Sequence, residues 1–395
     1  MNPWGLLAAL TAGHFAVPWA LHQRLGLGLV VRARGGRGEV ALTFDDGPDP
    51  ETTPAVLAAL EAEDVRATFF MLGEKLRRHP ELAREVKAHG HEVALHGHHH
   101  RHAWLKTPWG PVADLDRALE AYAQVFGERP RFFRPPHGGW TEPFFFAVRA
   151  RGLVPVQWNL EAGDWVPNKS PEDVARKVLD RLIPGDIVVM HDAGPGGKKS
   201  PAALKKLLPE LKARGFRPKP LGELRLVTGG PAEWRPRLFA PIEAAFARLY
   251  RVEPAFYGAH SILRLAPAAL PVDAGPFKKG TPGVELHMDS ERMRRAAEAG
   301  QLAAFRHAKA SMKDLARALK ERPHLQQAEV VFGTSLFYEI LEPLGFQVAP
   351  LPPGYAKRVG YWMYLLHRAY GGRPLKHVEA RLVYLSRENL LERYG

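Results

Sequence analysis

From residue 39 to about 224 the chain alternates short apolar runs with stretches in which apolar residues recur every three to four positions. The runs at 40–44, 67–72, 92–95, 132–134, 154–160, 186–190 and 216–221 have the length of buried strands. Segments between them, such as 53–62, 74–89, 111–126 and 171–182, carry the helical period. Apolar strands alternating with helices predict a parallel sheet in an α/β fold, here a distorted (β/α) barrel of seven or eight units. The Gly/Pro-rich stretch TGGPAEWRP at 228–236 reads as a linker. Beyond it a second, smaller α/β domain runs from 237 to 395. Its clearest element is an amphipathic helix at 301–320. Leu302, Phe305, Met312, Leu315 and Leu319 recur on one side, and Arg306, Lys313, Arg317 and Lys320 line another. Such a stripe is usually a solvated face; the sharper reading is a surface for an anionic polymer. The run VVFGTSLFYEILEPLGFQV reads as strand, helix capped by Thr334 or Ser335, stop at Gly345, and strand. His287 and Asp289 in VELHMDSERM have ligand chemistry, but a strand with polar alternation is the expectation there.

At 395 residues the chain has room for two ordinary domains, and 46% hydrophobic with 25% charged residues is globular composition. Lys and Arg number 55 against 42 Asp and Glu, a net +13. That balance favours acidic partners: anionic wall polymer, lipid headgroups or nucleic acid. No nucleic-acid motif is recognisable, so none is expected as a partner. The absence of cysteine excludes disulfides, thiolate metal sites and cysteine nucleophiles, and leaves the compartment open. Residues 4–21 carry no formal charge and approach the ~20 residues of a membrane span. His14 and Pro18 weaken that reading, and no Lys or Arg precedes the run as in a signal peptide. A membrane anchor and a helix packed on the barrel both fit. Arg24, Arg32, Arg34 and Arg37 follow, and basic flanks usually stay cytoplasmic. The location expected is membrane-associated or extracytoplasmic, with a cytoplasmic one still open.

The candidate chemistry sits at strand ends, where barrels of this kind place it. VALTF ends in Asp45-Asp46-Gly47-Pro48, and EVAL ends in His96-Gly97-His98-His99-His100. FF leads into Arg134-Pro135-Pro136-His137-Gly138, VQWNL into Glu161-Ala162-Gly163-Asp164-Trp165, and IVVM into His191-Asp192. Neighbouring side chains on an ideal strand point to opposite faces. Gly47 and Pro48 end the extended geometry, so Asp45 and Asp46 can reach one centre. A turn whose aspartates only bond local backbone is the plainer reading. His96 and His100, four apart, face the same way on a helical turn, and two imidazoles with a carboxylate make an open zinc-type site. His98 and His102 share that spacing, so spacing alone leaves the pair open.

In this order TFDDGP, GHEVALHGHHH, FRPPHG, WNLEAGDW and IVVMHD resemble the polysaccharide deacetylase family with its NodB homology domain, over roughly residues 39–225. The resemblance implies a metal-dependent hydrolase of N-acetylated glycans. Gly90-His91-Glu92 then selects His96 and His100 as ligands, with Asp46 as the third. It implies Asp45 as general base with Arg134 its partner, and His191 as general acid with Asp164 its partner. Pro135, Pro136, His137 and Trp165 become the substrate-facing residues. The implied cofactor is one divalent ion, zinc, with cobalt or nickel as alternatives. The chain departs from the family's usual Ser or Thr at Gly97, its usual Tyr at His137, and a commoner Asp at Glu161. At His137 the family role belongs to a backbone N–H in the oxyanion hole, which histidine keeps. The second domain is similar to one of unclear role appended to some bacterial deacetylases. Three other functions compete: a non-catalytic sugar- or wall-binding protein on the same barrel, a hydrolase of a different small amide, and a nucleic-acid binder resting on charge alone. The intact acidic and histidine set argues against the first.

Overall fold

The computed structural model describes every residue except 1, 3, 6–11, 108, 373, 376 and 377. It divides into two compact units, Met1–Trp234 and Arg235–Gly395.

In the first unit the strands are β1 (Val30–Ala33), β2 (Glu39–Asp45), β3 (Thr68–Met71), β4 (Glu92–Leu95), β5 (Phe132–Phe133), β6 (Val154–Pro155), β7 (Leu160–Glu161), β8 (Ile187–His191), β9 (Arg217–Pro218) and β10 (Leu226–Thr228). Strands β2 to β8 form one curled parallel sheet in the order β6-β5-β4-β3-β2-β8-β7, and β9 pairs with the start of β2. Helices such as Thr53–Glu61, Gly110–Phe126, Pro171–Arg181 and Ser200–Ala213 follow the strands. Val40, Ala41, Leu42 and Phe44 of β2 are all fully buried. Burial on both faces is why these strands read as continuous apolar runs.

The barrel does not close by pairing its edges, since β6 and β7 lie at opposite ends of the sheet. The run 154–160, expected as one strand, is therefore two. Pro155 has no N–H to continue the ladder, and the chain crosses the opening before β7 begins. There Val156 bridges Val30 of β1, and the Gln157 N–H donates to Val30 O at 2.8 Å. The expected helix 74–89 is also two, Gly73–Arg78 and Pro80–Ala88, broken where Pro80 cannot continue the first.

The expected linker 228–236 is not a loop. Thr228 pairs with Val30, and a helix starts at Pro231 and runs to Leu249. Glu233 on its first turn forks onto Arg32, with both oxygens at 2.7 Å, in a buried pair. The Gly and Pro residues mark a helix start rather than a flexible joint.

Of the apolar run 4–21, residues 6–11 lie outside the described residues. Further along, Trp19–Arg24 is a helical turn with His22 buried, its ring stacked on Phe145 at 4.1 Å and 3.3 Å from Glu142. Gln23 donates to Gly138 O at 2.5 Å. No helix among the described residues is long and apolar enough to cross a membrane.

The second unit is a six-stranded mixed sheet of β11 (Glu253–Pro254), β12 (Leu263–Ala269), β13 (Pro282–Met288), β14 (Val330–Ser335), β15 (Gln347–Ala349) and β16 (Arg381–Ser386), ordered β11-β12-β13-β14-β16-β15. Period-2 alternation divides it into two apolar faces. Val331, Val383 and Leu385 pack with Met312, Leu315 and Leu319 of helix Gln301–Glu321. Val330, Leu382 and Tyr384 pack with Ala356 of helix Pro353–Ala369. His287 lies on β13, and Asp289 caps the following helix by accepting from the Arg292 N–H.

Candidate metal centre and active site

Asp45 is the last residue of β2, and Asp46 is the first beyond it. Asp46 has φ +80°, a left-handed step that costs a residue with a Cβ about 1 kcal/mol. The step brings its carboxylate round to the side where Asp45 already points. The sequence put this turn at Gly47 and Pro48; the left-handed residue is Asp46 itself. Gly47 serves a different need: a Cβ there would lie 2.1 Å from Asp192 Oδ2.

Past β4, the His96 N–H donates to Met71 O at 2.8 Å, and Gly97 takes φ +91°. The loop is tied down by Asp114, on the second turn of helix Gly110–Phe126. Its carboxylate accepts the His98 N–H and the His99 ring at 2.9 Å each, and Lys106 lies at 3.3 Å. No local pattern in the sequence marks Asp114; only the fold brings it under this loop.

His96 Nε2 lies 3.4 Å and His100 Nε2 3.1 Å from Asp46 Oδ1. That oxygen is buried and has no hydrogen-bond partner. Ligand atoms around a tetrahedral zinc with bonds of about 2.0–2.1 Å stand roughly 3.3 Å apart, so the spacing suits a cation. Among the described residues these three form the one group of His, Asp and Glu close enough to share an ion. Burial holds His100 down to about 4 against the pull of Asp46, so its imidazole is neutral, as a ligand must be. Burial alone would raise Asp46, but His96, His100 and His191 hold it well below the carboxylate range. His98 and His102 are not brought together. His98 is packed against Gly73, and His102 Nδ1 accepts from the Trp104 N–H at 3.1 Å.

Asp45 stands beside this centre, its Oδ2 3.9 Å from His96 Nδ1. Its Oδ1 accepts from Arg134 Nη1 at 2.7 Å. Arg134 is fully buried, with the same Nη1 on Thr43 Oγ1 at 2.8 Å and the guanidinium 4.1 Å over the Phe70 ring. On the other side, Asp164 is fully buried and accepts from His191 Nδ1 at 2.9 Å, the His191 N–H at 2.7 Å and Ser200 Oγ at 2.8 Å. Burial works to lower His191, but Asp164 outweighs it, with Asp45 and Asp46 adding, and the imidazole is pushed up to about 9. Ser200 went unnoticed in the sequence because it lies on a helix nine residues past His191 with no motif around it.

His137 is exposed, with φ +58° and ψ +12°. The hydrogen bonds of its turn run from Gly138 N–H to Pro135 O and from Gly139 N–H to Pro136 O, leaving the His137 N–H out of both. Its ring centre is 4.4 Å from that of His100. Pro135 and Pro136 are buried, and Trp165 is partly exposed with its ring edge-on to His191 at 5.1 Å. Asp192, quoted in the sequence motif without a role, is fully buried against Thr53 Oγ1 at 2.6 Å and pushed up to about 7, by burial first and by Asp46.

The family model for polysaccharide deacetylase matches residues 32–156, and that for the YkoP domain matches 237–394. A peptidoglycan-N-acetylglucosamine deacetylase of Bacillus cereus is 36% identical over 187 residues, covering 47% of this chain and 87% of the relative. A chitooligosaccharide deacetylase of Azorhizobium caulinodans is 31% identical over 207 residues, covering 49% and 98%. A crystal structure of a peptidoglycan N-acetylglucosamine deacetylase aligns with TM-score 0.49 and 28% identity over 54% of this chain and 98% of that one. Matches that span nearly the whole of the two curated relatives place the chain, through its first unit, in the polysaccharide deacetylase family of hydrolases.

Proposed function

We propose that the chain is a divalent-metal-dependent deacetylase that removes N-acetyl groups from a glucosamine-type polysaccharide, peptidoglycan or a chitin-like polymer. The observation that carries this is the convergence at one set of strand ends. Asp46, His96 and His100 form a cation-sized donor set, with a buried Asp45–Arg134 pair on one side and a His191–Asp164 pair on the other. A divalent ion on the three ligands, zinc in the first instance with cobalt or nickel as alternatives, would supply a water of lowered pKa and polarise the acetyl carbonyl. Asp45 takes the proton of the attacking water. Arg134 fixes that carboxylate's direction through its Nη1 bond at 2.7 Å. The His137 N–H donates to the oxygen that gains charge, a contact worth roughly 3 kcal/mol when preorganised. His191 enters the reaction as imidazolium because Asp164 holds it so, and it delivers the proton to the departing nitrogen. Trp165 presents an apolar edge to the acetyl methyl, and Pro135 and Pro136 stiffen the wall that carries His137.

A polymeric wall substrate places the barrel outside the cytoplasmic membrane, and the basic chain is suited to an anionic envelope. The test is acetate release from N-acetylglucosamine oligomers and from peptidoglycan, after chelation and after restoring zinc, cobalt or nickel. Release that needs metal and occurs on a glycan supports the reading. Glycan binding without acetate from any substrate in the metal-loaded protein would assign it to the non-catalytic alternative.

A further inference from the structure

The second unit holds most of the chain's excess charge. Residues 235–395 contain 24 Lys and Arg against 15 Asp and Glu, so +9 of the total +13 lies there. Some of it is paired in place: Arg264 with Asp289, Arg294 and Arg295 with Glu291, and Arg322 with Glu253. Helix Gln301–Glu321 instead gathers its cations on one face. Its exposed positions include Arg306, Lys309, Lys313, Arg317 and Lys320, spaced three, four, four and three residues apart. The opposite side, with Met312, Leu315 and Leu319, is committed to the core.

None of the five makes an ion pair with a carboxylate among the described residues. Of the helix's own acids, Asp314 is half-buried, and the exposed Glu321 lies past the end of the stripe. Like charges three and four positions apart destabilise a helix, whereas alternating signs at that spacing stabilise it. A face that only needed solvation would carry mixed signs at no cost. This one carries a single sign along about 21 Å of helix, with a charge every 4.5 to 6 Å or so.

We propose that this stripe binds a linear polyol-phosphate polymer, a chain of phosphodiester-linked polyols without bases, laid along the helix. Charge complementarity and linear spacing select a one-dimensional polyanion. A membrane surface fits less well, because an interfacial helix inserts an apolar face, and here Met312, Leu315 and Leu319 are buried. Leu302, expected on that side, stands exposed instead, a single apolar residue at the start of the helix. Single-stranded nucleic acid also fits less well, because such sites interleave cations with aromatic stacking platforms. The exposed positions of this helix from Arg306 to Lys320 carry no aromatic residue, and the neighbouring Phe256 ring is half-buried beneath Arg317, 5.3 Å from its guanidinium.

The experiment uses the full chain and the triple variant Lys309→Gln, Lys313→Gln, Arg317→Gln. Glutamine keeps helix propensity, and circular dichroism checks the fold. Binding of a purified polyglycerol phosphate is measured at 50 and 200 mM salt, beside phosphatidylglycerol vesicles and an oligothymidylate of equal charge. The expected result is salt-sensitive binding of polyglycerol phosphate that is tighter than either alternative. The triple variant should weaken it at least tenfold and flatten the salt dependence. Acetate release from a short soluble N-acetylated oligomer should be unchanged, and since binding is read without turnover, failure of the deacetylase reading is a separate outcome. No binding at 50 mM salt, an unchanged affinity in the folded triple variant, or tighter binding of vesicles or oligothymidylate would each overturn the proposal.

Discussion

Replacing Asp164 with asparagine keeps the side chain's shape and removes the charge that holds His191 protonated. Asp164 accepts four hydrogen bonds, from His191 Nδ1, the His191 N–H, the Trp165 N–H and Ser200 Oγ. Asparagine offers one acceptor oxygen and one NH2 donor group. Oδ2 takes the two short bonds, from the His191 N–H at 2.7 Å and Ser200 Oγ at 2.8 Å, against a longer one of 3.2 Å from the Trp165 N–H on Oδ1. The amide oxygen therefore keeps the Oδ2 place and the NH2 faces the ring. Nδ1 must then accept rather than donate, and the imidazole becomes neutral. In the wild type the group is raised from its ordinary 6.5 to about 9, a preference of roughly 3 kcal/mol for the charged form. Because the value is raised, the charged ring is fully present below pH 6.5 and is lost as pH rises through about 9. The stability contributed by the His191–Asp164 pair follows the same window. A cation on Asp46 offsets the share due to Asp45 and Asp46, so the alkaline limb of kcat in the metal-loaded enzyme should fall between those two values. In Asp164→Asn only burial acts on the ring, and the limb should move below 6.5. At pH 7 the loss of a protonated acid should lower kcat about 10²- to 10⁴-fold. The assay is acetate release against pH, with metal content and circular dichroism measured on the same samples. A folded, metal-loaded Asp164→Asn protein with the wild-type limb and kcat would refute the assignment of His191 as the proton donor.

The remaining predictions concern the metal, the base, the left-handed turn and the amino-terminal segment. Asp46→Ala, His96→Ala and His100→Ala should each lose the bound divalent ion in metal analysis, whereas His98→Ala should keep it; the opposite pattern would put the centre on the wrong histidines. Asp45→Asn should retain metal and lose most turnover. It should also lower Tm, since the fully buried Arg134 is left without its counter-charge, a loss of about 3–5 kcal/mol. His137→Ala and His137→Tyr should hold kcat within about tenfold, ~1.4 kcal/mol in barrier, if the backbone N–H is the working group. A collapse in kcat with metal retained would make the imidazole itself necessary. Truncation to Arg32 should impair folding, because it removes the buried His22 with its stacking on Phe145 and the Gln23 bond to Gly138; a soluble, fully active truncated protein would favour a dispensable anchor.

What the sequence made legible follows from what is local. Val40 to Phe44 are apolar without interruption because both faces of β2 are buried, and that run announces a parallel strand from its own residues. The position of the acidic and histidine clusters after such runs placed them on one rim. What it hid is what depends on two distant segments meeting. The split of 154–160 turns on β6 and β7 belonging to opposite edges of the sheet, which no window of seven residues contains. Strand β1 is four residues long and owes its place to pairing with β10, nearly two hundred residues away. The same limit separates two kinds of site residue. His96 and His100 face one centre with Asp46, and a spacing rule could nominate them, though it nominated His98 and His102 equally. The family resemblance through Gly90-His91-Glu92 chose His96 and His100. The physical reason for that pair lies in the left-handed step at Asp46 and the strand register, because they decide where a carboxylate arrives. Asp114 and Ser200 touch the loop and the buried acid through the fold alone, and their segments are ordinary helix. Groups proposed to meet the reacting atoms thus came with recognisable neighbours, while groups that hold them in position came from helices whose sequence is shaped by packing.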